Sequence, residues 1–391
     1  MLLGLFAALA FAPIFWLAVP SGWRREVLAA ASLIGLGCYD YRLVLLLLAI
    51  CLGLLLLMRA ASTAQPSLRR LATGAGLAAL AALFLWNKLA AGHGATALPS
   101  QGALVFLGVS FLVLKAAGAL IEVHRGTWAP ASLRDLLTWI AFLPTYPSGP
   151  METLEHFRTQ APTFQRAHAL GGLERILFGL VKSLLLAYYL GVWAAPLVEQ
   201  PHAFGPATLL LGLYALSLRF YFDFAGYSDI AIGLAAVFGY DIVENFDHPF
   251  LRRNLVQLWQ HWHMTLTHWL RAYLFVPVTR RIMRMTGAWG DRLAIAAGQI
   301  VSMTFCGVWH GVAWNFALWG FLQAVGLICV GIVCRDIGRR LPPGVVGWWR
   351  QSPIAYALSV ALTFNFFSLA VIFMVTDVAS GLRYLARVFH A

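Results

Sequence analysis

From Leu293 to Cys334 the chain runs for 42 residues without an Asp, Glu, Lys or Arg, and its one strongly basic group is His310, in FCGVWHGVAWNF. About 20 apolar residues span the hydrocarbon core of a bilayer, so this stretch is long enough for two crossings. An ionisable side chain in such a place is expensive and is a functional candidate by default. The competing reading is a structural histidine bonded to a neighbouring helix, because buried polar groups are as a rule simply paired. A second histidine 47 residues earlier, His263, favours chemistry.

The rest of the chain belongs to the same class. Its 391 residues are 60% hydrophobic and 11% charged, with a mean hydropathy of +0.75. That composition describes an all-α polytopic membrane protein and excludes a soluble domain. A transmembrane barrel would carry polar residues at every second position, and no such alternation is present. The first segment, Met1 to Pro20, is apolar from the outset and lacks a basic leading region, so it reads as a retained helix. Apolar runs fall at about 1–20, 26–38, 42–58, 71–90, 102–121, 171–195, 206–222, 293–312, 314–334 and 353–376. Shorter or interrupted pieces lie at about 135–150, 226–240 and 255–279. The expectation is a single integral membrane domain over 1–391. It has about ten or eleven transmembrane helices, with re-entrant or interfacial helices around a central funnel.

Short loops rich in Lys and Arg stay on the cytoplasmic side. Here Arg24 and Arg25, then Arg59, Arg69 and Arg70, then Arg125 and Arg134, the block Arg252 to Arg292, and Arg335 to Arg350 alternate with loops at 90–101 and 196–204 that have no Lys or Arg. This places the N-terminus outside. The net charge of +12 therefore needs no nucleic acid: an Arg-rich inner face beside anionic lipid accounts for it. The same face suits an acidic cytoplasmic partner, such as an acyl carrier protein or the phosphates of coenzyme A. Five cysteines scattered through apolar runs suggest neither a disulfide framework nor a zinc site. Cys306 lies one helical turn before His310, which leaves a Cys and His pairing open beside the plainer reading of a small buried hydrophobe.

Between Tyr221 and Pro277 the composition changes, with polar, aromatic and histidine residues crowded into YFDFAGYSDIAIG and ENFDHPFLRRNLVQLWQHWHMTLTHWLRAYLFVP. Polar or irregular backbone at membrane depth survives only inside protein or along a water-filled cavity, so a funnel or re-entrant segment is expected. On a continuous helix, Trp259, Trp262, His263, Leu266 and Leu270 share one stripe, while His261 and His268 fall on the other side. A zinc site on the H-x-H pair is the weaker alternative, since a helix splays those two rings apart. Asp223 and Asp229 flank Gly226, where an interrupted helix is expected. The two acids either bind cations or a polar substrate there, or cap the backbone amides of the unwound turn. Pro147 and Pro150 around Gly149 forbid a continuous helix and suggest a re-entrant hairpin. No phosphate-binding glycine fingerprint is present.

These segments resemble the membrane-bound O-acyltransferase family, in its bacterial branch of alginate O-acetylation and teichoic acid D-alanylation. The matching pieces are GVSFLVLKAAGALIEVHRG (108–126), FLPTYPSGPM (142–151), YFDFAGYSDIAIG (221–233), ENFDHPF through HWHMTLTHWLRAYLF (244–275) and GVWHGVAWNFALWG (307–320). They come in the family's order, and the core that carries them runs over about 105–325. The resemblance implies a catalytic pair, His310 in the W-H-G element and His263 in the W-H-x-[ST]-L element, within a funnel through the membrane. One departure stands out: the family's L-R-D-Y-L-Y reads Leu270, Arg271, Ala272, Tyr273, Leu274, Phe275 here, so the acid beside Arg271 is missing.

The resemblance further implies transfer of an acyl group, acetyl, D-alanyl or similar, from a cytoplasmic thioester to a hydroxyl of an extracytoplasmic glycan or polymer, directly or through a partner acyltransferase. His310 is then the general base, because an imidazole suits proton transfer at neutral pH. His263 orients the acyl group or stabilises the oxyanion. Trp262, Trp309, Asn315, Asp229 and Ser148 are the candidate substrate-binding residues. No bound cofactor or metal is expected, since the acyl-CoA or acyl carrier protein thioester carries the activation. The site of action is the bacterial cytoplasmic membrane. The rival from another class is a transporter or flippase with a midplane polar site, for which interrupted helices also speak and inverted repeats, not evident here, would be expected. A purely structural scaffold is the third reading, and the clustered histidines argue against it.

Overall fold

The computed structural model describes residues 2–90, 108–286, 290–333 and 340–389. Helix dominates, and no strand occurs among the described residues. The chain falls into two compact units. One takes in the described residues up to Val181 together with Gly226–Glu244; the other takes in Lys182–Ala225 and the residues from Asn245 onward. Most of the 90–101 loop, residues 102–107 of the fifth apolar run, Cys334, Arg335 and Arg339 lie outside the described residues.

The first unit contains α1 (Leu2–Ala18), α2 (Arg24–Tyr39), α3 (Tyr41–Ala61), α4 (Pro66–Ala90), α5 (Val109–Arg125), α6 (Leu133–Ile140), α7 (Leu154–Thr159) and α8 (Arg166–Leu180). Charge ties the short α6 to α2, through Arg134–Glu26 at 2.5 Å and Arg25–Asp135 at 4.0 Å. Ser132 and Asp135 start α6 with a capping box that satisfies two of the helix's orphan amides. Between α6 and α7 the backbone is irregular and mostly buried, where the prolines around Gly149 predicted a re-entrant hairpin. Buried irregular backbone needs partners within the protein. Gly149 N–H donates to Thr145 at 3.2 Å, and the buried Glu152 carboxylate accepts the N–H groups of Thr153 and Val243. Lys115 of α5 donates to the Trp139 carbonyl, and the Trp139 indole donates to the carbonyl of Glu152.

α8 continues through a π-helical stretch, Val181–Ala187, into α9 (Tyr188–Glu199). It is followed by α10 (Pro206–Val237), which begins in the second unit and ends in the first. The interruption expected at Gly226 is absent: α10 is helical through all 32 of its residues. The glycine serves contact instead of a break. A Cβ on Gly179 would fall 2.6 Å from the Gly226 carbonyl oxygen, and one on Gly172 would fall 2.5 Å from that of Gly233. In lipid no hydrophobic effect drives helices together, so small residues that let two backbones touch take over that role.

The second unit adds α11 (Leu255–His261), α12 (Met264–Leu270), α13 (Val276–Thr286), α14 (Asp291–His310), α15 (Trp314–Ile332), α16 (Pro343–Gln351), α17 (Pro353–Val371) and α18 (Val378–Phe389). α14 and α15 form a tight antiparallel hairpin. A Cβ on Gly307 would run into the Phe316 carbonyl, and one on Gly320 into the Met303 carbonyl. Polar pairs fix the remaining long helices: Ser217 to Ser368 at 2.9 Å between α10 and α17, and Tyr384 of α18 to the Leu209 carbonyl at 2.8 Å. Arg253 holds α16 by donating to the carbonyls of Trp349 and Arg350.

All ten apolar runs are helical over most of their described parts, with non-helical residues only at their ends. Seven helical stretches among the described residues are long and apolar enough to cross a membrane: α3, α4, the run Arg166–Glu199, α10, α14, α15 and Pro353–Met374. The other three, α1, α2 and α5, are 17, 16 and 17 residues long.

Candidate functional site

His263 is not on a helix face. The chain leaves α11 at His261, turns extended at Trp262, and takes the left-handed conformation at His263 (φ 42°, ψ 54°) before α12 starts at Met264. This corrects the continuous stripe drawn from Trp259 to Leu270, although both Trp259 and His263 are buried. The reason lies 18 residues upstream, in the segment that begins at Asn245. Met264 N–H donates to the Asn245 carbonyl at 2.9 Å, and Asp247 N–H donates to the His261 carbonyl at 3.0 Å. These two bonds replace helical ones across the turn. Histidine, like Asn and Asp, accepts positive φ more often than other residues with a Cβ.

The side chain of Asn245, fully buried at 0% exposure, completes the turn. Its Oδ1 accepts from the Thr265 hydroxyl at 2.9 Å and from the Thr265 N–H at 3.4 Å, and lies 3.0 Å from His263 Nδ1. The His263 ring meets that of Phe224 of α10 in a T-shaped contact at a centroid distance of 4.7 Å. His263 lies outside the spanning helices and is 2% exposed. Burial first, and then the neighbouring His310, push its imidazole well below its ordinary value, so the ring is neutral at physiological pH.

His310 is the last residue of α14, immediately before the extended Gly311 that opens the turn into α15. Two buried indoles flank it edge-on, Trp309 at 4.9 Å and Trp319 at 5.5 Å. Trp309 also faces His263, at 6.2 Å. One indole thus stands against both imidazoles, and both histidines belong to the same unit.

The remaining predicted residues divide. Trp262, next to His263, packs among Tyr221, Phe246, Phe250 and Phe367, with Phe367 nearest at 5.1 Å. Asn315 opens α15 and donates from Nδ2 to the Phe373 carbonyl at 2.9 Å, which ties α15 to the end of the α17 segment. Asp229 and Ser148 belong to the other unit. Asp229 pairs with Arg175 of α8 at 3.0 Å, and the same guanidinium grips Glu244; it caps no unwound turn, because α10 has none there. Ser148 lies half-buried in the irregular segment between α6 and α7.

His261 and His268, the other histidines of this stretch, point elsewhere. His261 turns Nδ1 to the Gln257 carbonyl at 2.7 Å and Nε2 toward Asp247 at 3.6 Å, and His268 is exposed. The exposed Asp247 carboxyl is held below the usual carboxylate range first by its hydrogen bond with His248, and then by Arg252 and His261. Among the described residues no group of three or more His, Cys, Asp or Glu side chains is arranged to hold a metal ion.

Residues 126–376, which include both histidines, match the membrane-bound O-acyltransferase family. The chain belongs to that family. It is 30% identical over 237 residues to a teichoic acid D-alanyltransferase of Streptococcus thermophilus, an alignment covering 58% of this chain and 57% of the relative. A probable alginate O-acetylase of Azotobacter vinelandii is 32% identical over 224 residues, 55% of this chain and 42% of the relative. A teichoic acid D-alanyltransferase of Bacillus subtilis is 31% identical over 267 residues, 64% of this chain and 66% of the relative. The chain thus spans between two fifths and two thirds of the length of these relatives. Family membership and the seven long apolar helices make it an integral membrane protein.

Asn245, Thr265, Phe224 and Trp319 were not singled out from the sequence. Asn245 sits inside the quoted ENFDHPF motif, but its partners are 18 and 20 residues away and leave no local periodicity to read.

Proposed function

We propose that the protein is a membrane O-acyltransferase that moves an acyl group, acetyl or D-alanyl, from a thioester to a hydroxyl of an extracytoplasmic polymer. The observation that carries this reading is the convergence of His263 and His310 on Trp309 in a chain of this family. The names of the relatives, a D-alanyltransferase of teichoic acid and an alginate O-acetylase, support the acyl groups and the polymeric acceptor.

In this reading His310 accepts the proton of the acceptor hydroxyl as the oxygen attacks the thioester carbonyl. The C–O bond forms, the C–S bond breaks, and the leaving thiolate takes the proton from the imidazolium. No redox partner is required. The donor is acyl-CoA or an acyl carrier protein at the cytoplasmic face, and transfer is direct or passes through a partner acyltransferase. The arginine pattern supports a cytoplasmic-membrane location with the N-terminus outside. The whole chain then acts as one domain whose core is about 105–325.

The test is His310→Ala in cells, with membrane levels of the protein checked. Ester-linked acetyl and D-alanyl groups released from the envelope by mild alkali are quantified by mass spectrometry. A fall of about 10²–10⁴-fold is expected for loss of a general base. Release at the wild-type level would remove His310 from the chemistry.

A further inference from the structure

The contacts of Asn245 settle which nitrogen of His263 carries the proton. The Asn245 side chain faces the backbone N–H of Thr265, and a backbone N–H can only donate, so the atom facing it is the carboxamide oxygen and not its NH2. The same oxygen lies 3.0 Å from His263 Nδ1. Two acceptors at that distance would repel, so Nδ1 bears hydrogen and donates. A neutral imidazole has one N–H, which leaves the lone pair on Nε2. The Thr265 hydroxyl, at 2.9 Å from the same oxygen, braces the carboxamide, and the Met264 N–H to Asn245 carbonyl bond fixes the backbone around it.

We propose that Asn245 is a positioning residue that locks His263 in the Nδ1–H tautomer, so that its Nε2 enters the reaction as a hydrogen-bond acceptor. This rests on the acyl-transfer reading and sharpens it. A neutral His263 in this tautomer has no donor left for an oxyanion, so the role of oxyanion stabiliser passes to other groups. His263 Nε2 instead accepts a hydrogen bond from a second hydroxyl of the polymeric acceptor and so orients the attacking hydroxyl, whose single proton passes to His310. It stays neutral throughout, and the atom balance of the transfer is unchanged. The left-handed turn is part of the device, because it brings the ring and the Asn245 carboxamide into register.

The first measurement uses the wild-type chain in detergent or nanodiscs, with 15N-labelled histidine and His263→Asn to assign the signal. Nε2 of His263 is expected at the unprotonated shift at neutral pH; an Nε2–H signal would overturn the proposal. The second compares Asn245→Leu with Asn245→Asp at equal folded levels, in the same ester-release assay. Leucine matches the shape but removes the acceptor, and a drop of at least about tenfold is expected, as for other partners that orient a functional histidine. Aspartate keeps the acceptor and is expected to stay within a few-fold of wild type. Equal losses in the two variants would reduce Asn245 to a structural residue. Retained transfer in His310→Ala would instead sink the acyl-transfer reading and leave the tautomer result standing.

Discussion

Two segments of the second unit present a histidine to Trp309, and they are built on different physics. Around His263 the backbone abandons helix, and the turn is held by directional bonds: Asn245 to His263 and Thr265 through its side chain, and to Met264 through its carbonyl. Around His310 the helix runs to its last residue, and close packing sets where the ring sits. Gly307 and Gly320 let α14 and α15 touch backbone to backbone, and two indoles wall the imidazole. A polar network specifies orientation and protonation together, and close packing specifies position. The pair thus combines a histidine whose tautomer is assigned with one whose place is assigned.

That contrast breaks most visibly at the hairpin. Gly307→Val puts a branched side chain against the backbone of Phe316, where no flexible group can yield. Overpacking of this kind costs about 1–3 kcal/mol. A clear drop in thermal midpoint is expected together with loss of ester release. An unchanged midpoint would mean that the two helices are not held by close approach.

The polar turn is expected to respond more mildly. Thr265→Val removes the hydroxyl that braces the Asn245 oxygen and leaves the His263 bond in place. The expected cost is about 1 kcal/mol of stability, with a few-fold loss of transfer and no change in the tautomer of His263 by 15N NMR. A tautomer switch in this variant would show that Thr265, and not Asn245, governs the ring.

The smallest effect is expected at His268, which shares the segment but is exposed. His268→Ala is expected to shift stability by less than about 0.5 kcal/mol, as for most surface positions, and to leave transfer at the wild-type level in the ester-release assay. A large loss would mean that helical geometry along α12 misjudges which histidines matter.

The class of fold and the helical stretches within the ten apolar runs are legible in the sequence, because each depends on local signals, uninterrupted apolar stretches and charge-free windows; short motifs single out the two histidines as candidates, and their role is a proposal. It misjudged the geometry wherever the deciding partner was distant. His263 was placed on a helical stripe, yet its conformation depends on Asn245, 18 residues earlier. Gly226 looked like a helix breaker because glycine is a poor helix former. Its carbonyl in fact lies where only Gly179, on another helix, can approach it. For Asp229 the sequence leaves open a polar-substrate or cation ligand and a cap on a broken turn; α10 is unbroken there, and Asp229 pairs with Arg175, 54 residues before it. Asn315 and Trp262 are substrate-binding candidates in the sequence. The structure shows what each touches, a carbonyl at the end of the α17 segment and a cluster of aromatic rings.

The glycine crossing of α8 with the end of α10 has a mechanical consequence. Its two points of backbone touch, Gly172 with Gly233 and Gly179 with Gly226, are spaced seven residues apart on each helix, roughly 10 Å along the axis. A single pivot would let one rod roll or slide over the other, whereas two pins resist both. Any rearrangement of the first unit has to carry this pair as one stiff strut, and bending is left to the stretches that lack such fastening.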